Sequence, residues 1–286
     1  MQFKKIITSL LIMTLLITGQ SLAVLAGNTQ VVSLGADLSA EQKEAILKEF
    51  GVSENEVNII EVSIQDVQKY LKGASKSQIG TKAISSAYVK LLPEGEGLFV
   101  DTHNVTAVSK EMYANAMVTA GVKDAEVKVA APFKVTGTTA LTGIMMAFEE
   151  ATGKKLDDAA KETANEELEL TQNIGDEIGK EKATELIQKV KREILKQKIE
   201  TPEDMRQVII NIANELNIKL TDEQVDQILK LMEKISKLDL NVDTIVKQLD
   251  KISKNLEIVK NTLKENKGLF QRIIDAILGW LRNIFA

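Results

Sequence analysis

The 286-residue chain contains no cysteine, one histidine, one tryptophan and three prolines, and only 4% of it is aromatic. Each scarcity excludes something. Without thiols there is no disulfide, no cysteine nucleophile, no thiolate metal site and no lipid-bearing N-terminal cysteine. A lone imidazole cannot supply the several His ligands of a typical zinc site. So little proline, with no low-complexity tract, excludes a stalk or linker and leaves an ordered chain. Basic blocks are missing as well, and acids outnumber bases, 41 to 36. That excludes the electrostatic footprint of a nucleic-acid binder.

What is present begins with MQFKKIITSLLIMTLLITGQSLAVLAG. Lys4 and Lys5 form a basic start, Ile6 to Ile17 an apolar run, and Ser21-Leu22-Ala23 and Val24-Leu25-Ala26 offer small residues to a signal peptidase. Residues 1–26 are read as a signal peptide cleaved after Ala26. The apolar run, about 12 residues, is short of the roughly 20 that span a bilayer. The expectation is a secreted, extracytoplasmic protein, released or held non-covalently at a membrane. Removing that leader, with its two lysines and no acid, leaves 34 bases against 41 acids, net −7.

Residues 27–153 are read as a two-layer α/β domain with a mixed sheet, and residues 154–267 as an all-α domain, α+β overall. In the first, VVSL precedes Ser39 and Gln42, a capping-box spacing, then Ala45, Ile46, Leu47 and Phe50 at helical intervals, Gly51 as a stop, and the strand-like VNIIEV. A second unit repeats this order from GLFVDTHNV, with a helix opened by Thr106 or Ser109, a stop at Gly121 and another strand. Each strand–helix–strand unit predicts a parallel strand pair. GVSENEV and GVKDAEV match in spacing, which duplication or shared helix-stop chemistry would both produce. KAISSAYVKLLPEGEGLFVD between them predicts a hairpin turning at Pro93-Glu94-Gly95.

VAAPFKVTGTTALTGIMMAFEEATGK, residues 129–154, sets glycines and threonines before an apolar run, as a phosphate loop does. A phosphate loop ends in Gly-Lys-Ser/Thr, and that lysine is missing, as is any GxGxxG. An exported protein also seldom meets nucleotide triphosphates, so neither a nucleotide nor any other cofactor is expected. The favoured reading is a strand ended by Pro132, a helix capped by Thr136 or Thr138, and Leu141, Ile144, Met145 and Phe148 packed on the sheet.

The order VVSLGADLS…EQ, IGTKAISSAYV, MYANA (Met112 to Ala116) and AAPFKVTGTTALTGI (Ala130 to Ile144) resembles the DUF1002 family. These are predicted secreted proteins, mainly of Gram-positive bacteria, with no assigned function. The resemblance covers most of the mature chain and implies secretion; it carries over no catalytic residue.

In the helical region a break is expected near Gly175 and Gly179, and Thr201-Pro202-Glu203-Asp204 and Thr221-Asp222-Glu223-Gln224 read as helix starts. Ile228, Leu231, Ile235, Leu238, Val242, Ile245, Leu249, Ile252, Leu256, Val259 and Leu263 form a heptad seam. It predicts a helical hairpin folded back at Leu238–Asp243, or a coiled coil through which the chain self-associates. Residues 268–286 form a C-terminal amphipathic helix by pattern, with Phe270, Ile273, Ile274, Ile277, Trp280, Leu281, Ile284 and Phe285 on one face. Such a face docks on the core, on an envelope protein or on a membrane surface.

Few polar residues invite chemistry. Asp101, His103 and Asn104 in DTHNVT form a weak polar-site candidate, with turn formation as the plainer reading. No GxSxG marks a serine nucleophile and no EF-hand spacing a calcium loop. Glu149-Glu150 and Glu166-Glu167 read as solvated helix faces. No catalytic, cofactor-binding or metal residue is assigned. The sequence supports an envelope-associated binding protein first, and a carboxylate-dependent hydrolase acting on cell-wall material as the alternative.

Overall fold

A computed structural model describes residues 29–71 and 81–254. The expected leader (residues 1–26), the last three seam residues (Leu256, Val259, Leu263) and the expected apolar face of 268–286 lie outside the described residues. The fold is α+β. Its strands are β1 (Gln30–Gly35), β2 (Asn58–Val62), β3 (Ser86–Leu91), β4 (Leu98–Val105) and β5 (Ala125–Val135). They form one mixed sheet in the order β2-β1-β3-β5-β4.

Both strand–helix–strand units make the parallel pairs their sequence predicts, β1 with β2 and β4 with β5. Their helices are α1 (Ala40–Phe50) and α3 (Lys110–Thr119), with α2 (Ile64–Tyr70) between them in the chain. Ser39 and Gln42 form the expected capping box, Ser109 rather than Thr106 caps α3, and Gly51 and Gly121 adopt positive φ at the stops. The two units differ in one respect. Ile46, Leu47 and Phe50 of α1 cluster with Val32, Leu34, Tyr88 and Ala130. Met112, Tyr113 and Met117 of α3 cluster with Val31, Val89, Val127 and Val129, which alternate with the first set and face the other way. The two helices therefore cover opposite faces, and the shared Gly-Val spacing falls at the two helix stops, Gly51 and Gly121.

The expected hairpin is corrected. The chain does turn at 93–97, with Gly95 and Gly97 at positive φ, but β3 and β4 are not neighbours. β5 lies between them, antiparallel to β3 and parallel to β4. Pro132 is a second correction, because β5 continues through it to Val135. Pairing with β3 stops at Ala130, so Pro132 sits where β3 no longer needs its missing N–H. Beside it the β4–β5 register breaks between the pairs His103–Ala130 and Val105–Val135, with the extra residues on β5; across the break Asn104, at φ +59, donates its side-chain amide to the Ala131 carbonyl at 2.9 Å.

The helix α4 (Ala140–Thr152) packs Leu141, Ile144, Met145 and Phe148 into the sheet core, as its pattern predicts. Its N-cap is Thr139, with no side-chain cap bond; the Thr138 hydroxyl instead meets Gln172 at 3.2 Å. Then come α5 (Asp158–Ile178), α6 (Lys180–Gln197), α7 (Pro202–Glu215), α8 (Asp222–Ser236) and α9 (residues 242–254). Gly179, at φ +96, breaks α5 from α6, and Thr201 and Thr221 cap α7 and α8. The seam does fold back: Asn241 accepts the Thr244 N–H at 2.8 Å to open α9. Ile228, Leu231, Ile235, Ile245, Leu249 and Ile252 are buried in the same core as the sheet. These six seam residues are thus occupied within the chain, while Leu238 and Val242 at the fold-back are half-buried.

A candidate binding groove and two buried ion clusters

On the sheet face that α1 covers, the cover stops short of β4. Lys128 on β5 marks the limit, with its ammonium over the Tyr88 ring at 5.4 Å and donating to the Phe50 carbonyl at 3.1 Å. Beyond it the sheet is open. Register places Phe99 opposite Glu126 and Asp101 opposite Lys128 on this face. With the 92–97 turn they line a groove of about 530 Å³. Leu92, Pro93 and Phe99 give it an apolar surface, and Glu96, Asp101 and Glu126 make it mainly acidic. Phe99 is 47% exposed, one of three large hydrophobics left so among the described residues, with Phe133 and Ile210.

The rim of this groove is built rigidly. Buried Asp124, at φ +48, accepts the Gly97 N–H at 2.9 Å and the Gln248 side-chain amide at 3.1 Å. Burial works against its charge, but the Gly97 and Gln248 bonds outweigh burial and hold its carboxyl below the ordinary range. This carboxylate pins the start of β4 to α9.

The three residues of the DTHNVT candidate do not converge. Asp101 faces the groove and accepts the Thr102 N–H at 2.9 Å. His103 reaches Glu49 of α1, Nδ1 to Oε1 3.2 Å, with both side chains about half exposed. Asn104 spans the β4–β5 register break through its bond to Ala131. Among the described residues no group of three or more His, Asp or Glu is placed to hold a metal.

Two carboxylates read as solvated are buried, which corrects that reading. Glu167 is 1% exposed and receives Lys191, itself fully buried, at 2.7 and 3.0 Å. Lys191 also donates to the Asn115 carbonyl and to Thr119 Oγ1, while the Thr119 hydroxyl donates to Glu167 at 2.5 Å. Burial drives the Lys191 pKa down, against the pull of Glu167. Their neighbours Glu150 and Glu166 keep the expected solvent-facing positions, Glu166 pairing with Lys234 at 2.6 Å.

Glu149, at the end of α4, accepts Lys161 at 2.7 Å, Lys155 at 2.8 Å and the Leu156 N–H at 2.9 Å. Lys161 in turn meets Asp158 at 2.8 Å and lies 4.7 Å over the Tyr70 ring. Burial opposes the Glu149 charge, but those three donors prevail and its carboxyl sits below its usual range. The sign follows: the folded state binds this proton less tightly than the unfolded chain, so the stabilisation is present above the ordinary glutamate pKa and lost as pH falls through the folded value. Glu149→Gln is expected to lower stability by about 2 kcal/mol at neutral pH, the scale of a charge-assisted hydrogen bond. Melting temperatures across the acid range should then fall less steeply for the variant than for the parent; parallel curves would contradict the assignment.

These features can be set beside known proteins. The family model described as "Protein of unknown function (DUF1002)" matches residues 34–252. The chain is 40% identical over 232 residues to "Uncharacterized protein YpuA" of Bacillus subtilis (strain 168), covering 80% of each chain. No solved structure matches.

Proposed function

Because the chain belongs to the DUF1002 family, whose description assigns no function, we propose its role from its own features: an exported, cell-envelope-associated binding protein that meets a membrane surface or an envelope partner through residues 268–286. The leader-like start, Lys4-Lys5 followed by an apolar run, supports export.

The observation that carries the reading is where apolar surface remains. Among the described residues six of the seam, Ile228, Leu231, Ile235, Ile245, Leu249 and Ile252, are buried, and Phe99, Phe133 and Ile210 are the large hydrophobics left exposed. No described helix is long and apolar enough to cross a membrane. Phe270, Ile273, Ile277 and Trp280, which share one face by helical pattern, lie outside the described residues. A segment of this pattern suits the interface between water and lipid. With Arg272 and Arg282 as its only cations, its hold there rests on burial of apolar area more than on charge.

The hydrolase reading has one supporting feature, the three carboxylates of the groove. It is the weaker of the two. Glu126 lies 3.8 Å from Lys90 and 3.9 Å from Lys128, and the groove is open to water. A carboxyl that works as a general acid is typically enclosed by apolar side chains.

Vesicle co-sedimentation tests the proposal. Residues 27–286 are expected to pellet with vesicles, and residues 27–267 to stay in solution, on neutral and anionic lipid alike. If the two chains behave the same, the segment is not an interfacial anchor.

A further inference from the structure

The groove beside Phe99 suits the sequence pattern of residues 268–286, and the described chain ends near it. The described chain ends at Lys254 in α9. One turn earlier Lys251 lies against Gly97, where an added Cβ would stand 3.0 Å from its Cδ, and Gln248 is tied to Asp124 at the same point. Gly97 is the root of β4, two residues from Phe99 and one from Glu96. The chain therefore leaves the described fold at the rim of the groove. Thirteen residues, 255–267, separate Lys254 from Gly268. They span about 20 Å if helical and about 45 Å if extended.

Charge agrees with the path. Residues 255–286 carry three lysines and two arginines against two glutamates and one aspartate. The groove offers Glu96, Asp101 and Glu126 around an exposed phenylalanine. An apolar helix face meeting an aromatic anchor inside an acidic rim is a familiar mode of groove recognition. A tether this short presents the segment at an effective concentration of roughly millimolar, so modest intrinsic affinity is enough.

We propose that the groove lined by Phe99 is the docking site for residues 268–286 of the same chain. The segment is held on the open face of the sheet until a lipid surface competes for it. The proposal rests on the reading above only in taking 268–286 as a helix with one apolar face.

The protein carries its own probe, because Trp280 is its sole tryptophan and lies in the segment. In the mature chain, residues 27–286 without lipid, Trp280 is expected to be shielded from acrylamide. Phe99→Ser should weaken docking on the order of tenfold or more, as truncation of an interface anchor does. Trp280 emission then moves to the red and its quenching rises, while the unfolding temperature holds, because Phe99 is 47% exposed. The absence of cysteine makes a second test clean. Phe99→Cys combined with Ile277→Cys should form an intramolecular disulfide under mild oxidation. Ile210→Cys with Ile277→Cys should not.

Equal quenching in parent and Phe99→Ser, with no disulfide at position 99, overturns the docking proposal. A disulfide that joins two chains instead of closing one overturns its intramolecular form. The envelope reading fails separately. If the disulfide forms but the mature chain never pellets with vesicles, docking stands without membrane binding. If the chain pellets and Phe99→Ser changes neither Trp280 nor vesicle affinity, membrane binding stands without docking.

Discussion

Lys191→Met is expected to destabilise the protein by about 3–5 kcal/mol, the usual consequence of removing one partner from a buried ion pair. The size comes from what is left behind more than from what is lost. Lys191 is fully buried and donates to Glu167, Thr119 and the Asn115 carbonyl. Without its ammonium, Glu167 keeps, among the described residues, the Thr119 hydroxyl as the one donor at its carboxylate, with about 1% exposure to water. A carboxylate so placed must take up a proton or pull water into the contact of α3, α5 and α6. Glu167→Met alone should be of comparable size, since it strands the lysine. The double variant Lys191→Met, Glu167→Met is the discriminating one. It leaves no uncompensated charge, and its loss should fall well below the sum of the two singles, with a coupling of at least about 1–3 kcal/mol in urea unfolding. Strict additivity would mean that the pair does not interact as the geometry has it.

That cluster also shows where sequence reading has its limits. Glu167 stands three residues from Ala164, seven from Ala160 and four from Thr171, all buried. Lys191 stands four from Ile187 and three from Ile194 in the same way. Helical phase alone placed both on inward faces; reading Glu166-Glu167 as an adjacent pair hid the phase, because neighbours in a helix point about 100° apart. Signals that act within a few residues were legible: the caps at Ser39, Ser109, Thr201 and Thr221, the stops at Gly51 and Gly179, and the fold-back after α8. Strand pairing was not, since β3 takes β5 as its neighbour across the intervening β4 and α3, and no local turn encodes that choice. The groove was least legible of all. It joins residues 92–101 to 126–128 and exists because α1 ends its cover at Lys128, a fact of tertiary packing.

Gly137→Ala is the second large effect, expected at about 3–5 kcal/mol from two separable sources. Gly137 has φ +93, a conformation that strains a residue with a Cβ by about 1–3 kcal/mol. That Cβ would also stand 2.4 Å from Val105 Cγ1 and 2.6 Å from the Tyr113 hydroxyl oxygen. Tyr113 is completely buried and donates that hydroxyl to the Gly137 carbonyl at 2.5 Å. Displacing it leaves a buried polar pair unmade, about 1–3 kcal/mol more. Gly95→Ala separates the two, because Gly95 has φ +86 and nothing within 4 Å of its Cβ. Its loss should reflect backbone strain alone, and the excess at Gly137 measures the contact with Tyr113 and Val105. Equal losses at both positions would contradict that contact. The same geometry gives the TGTT turn a structural role. Thr136 offers its carbonyl to the N–H groups of Ala107 and Val108, and Gly137 offers its own to Tyr113. These two successive carbonyls are already given to the strand-to-helix junction ahead of α3, so the turn joins β5 to α4 while closing over Tyr113.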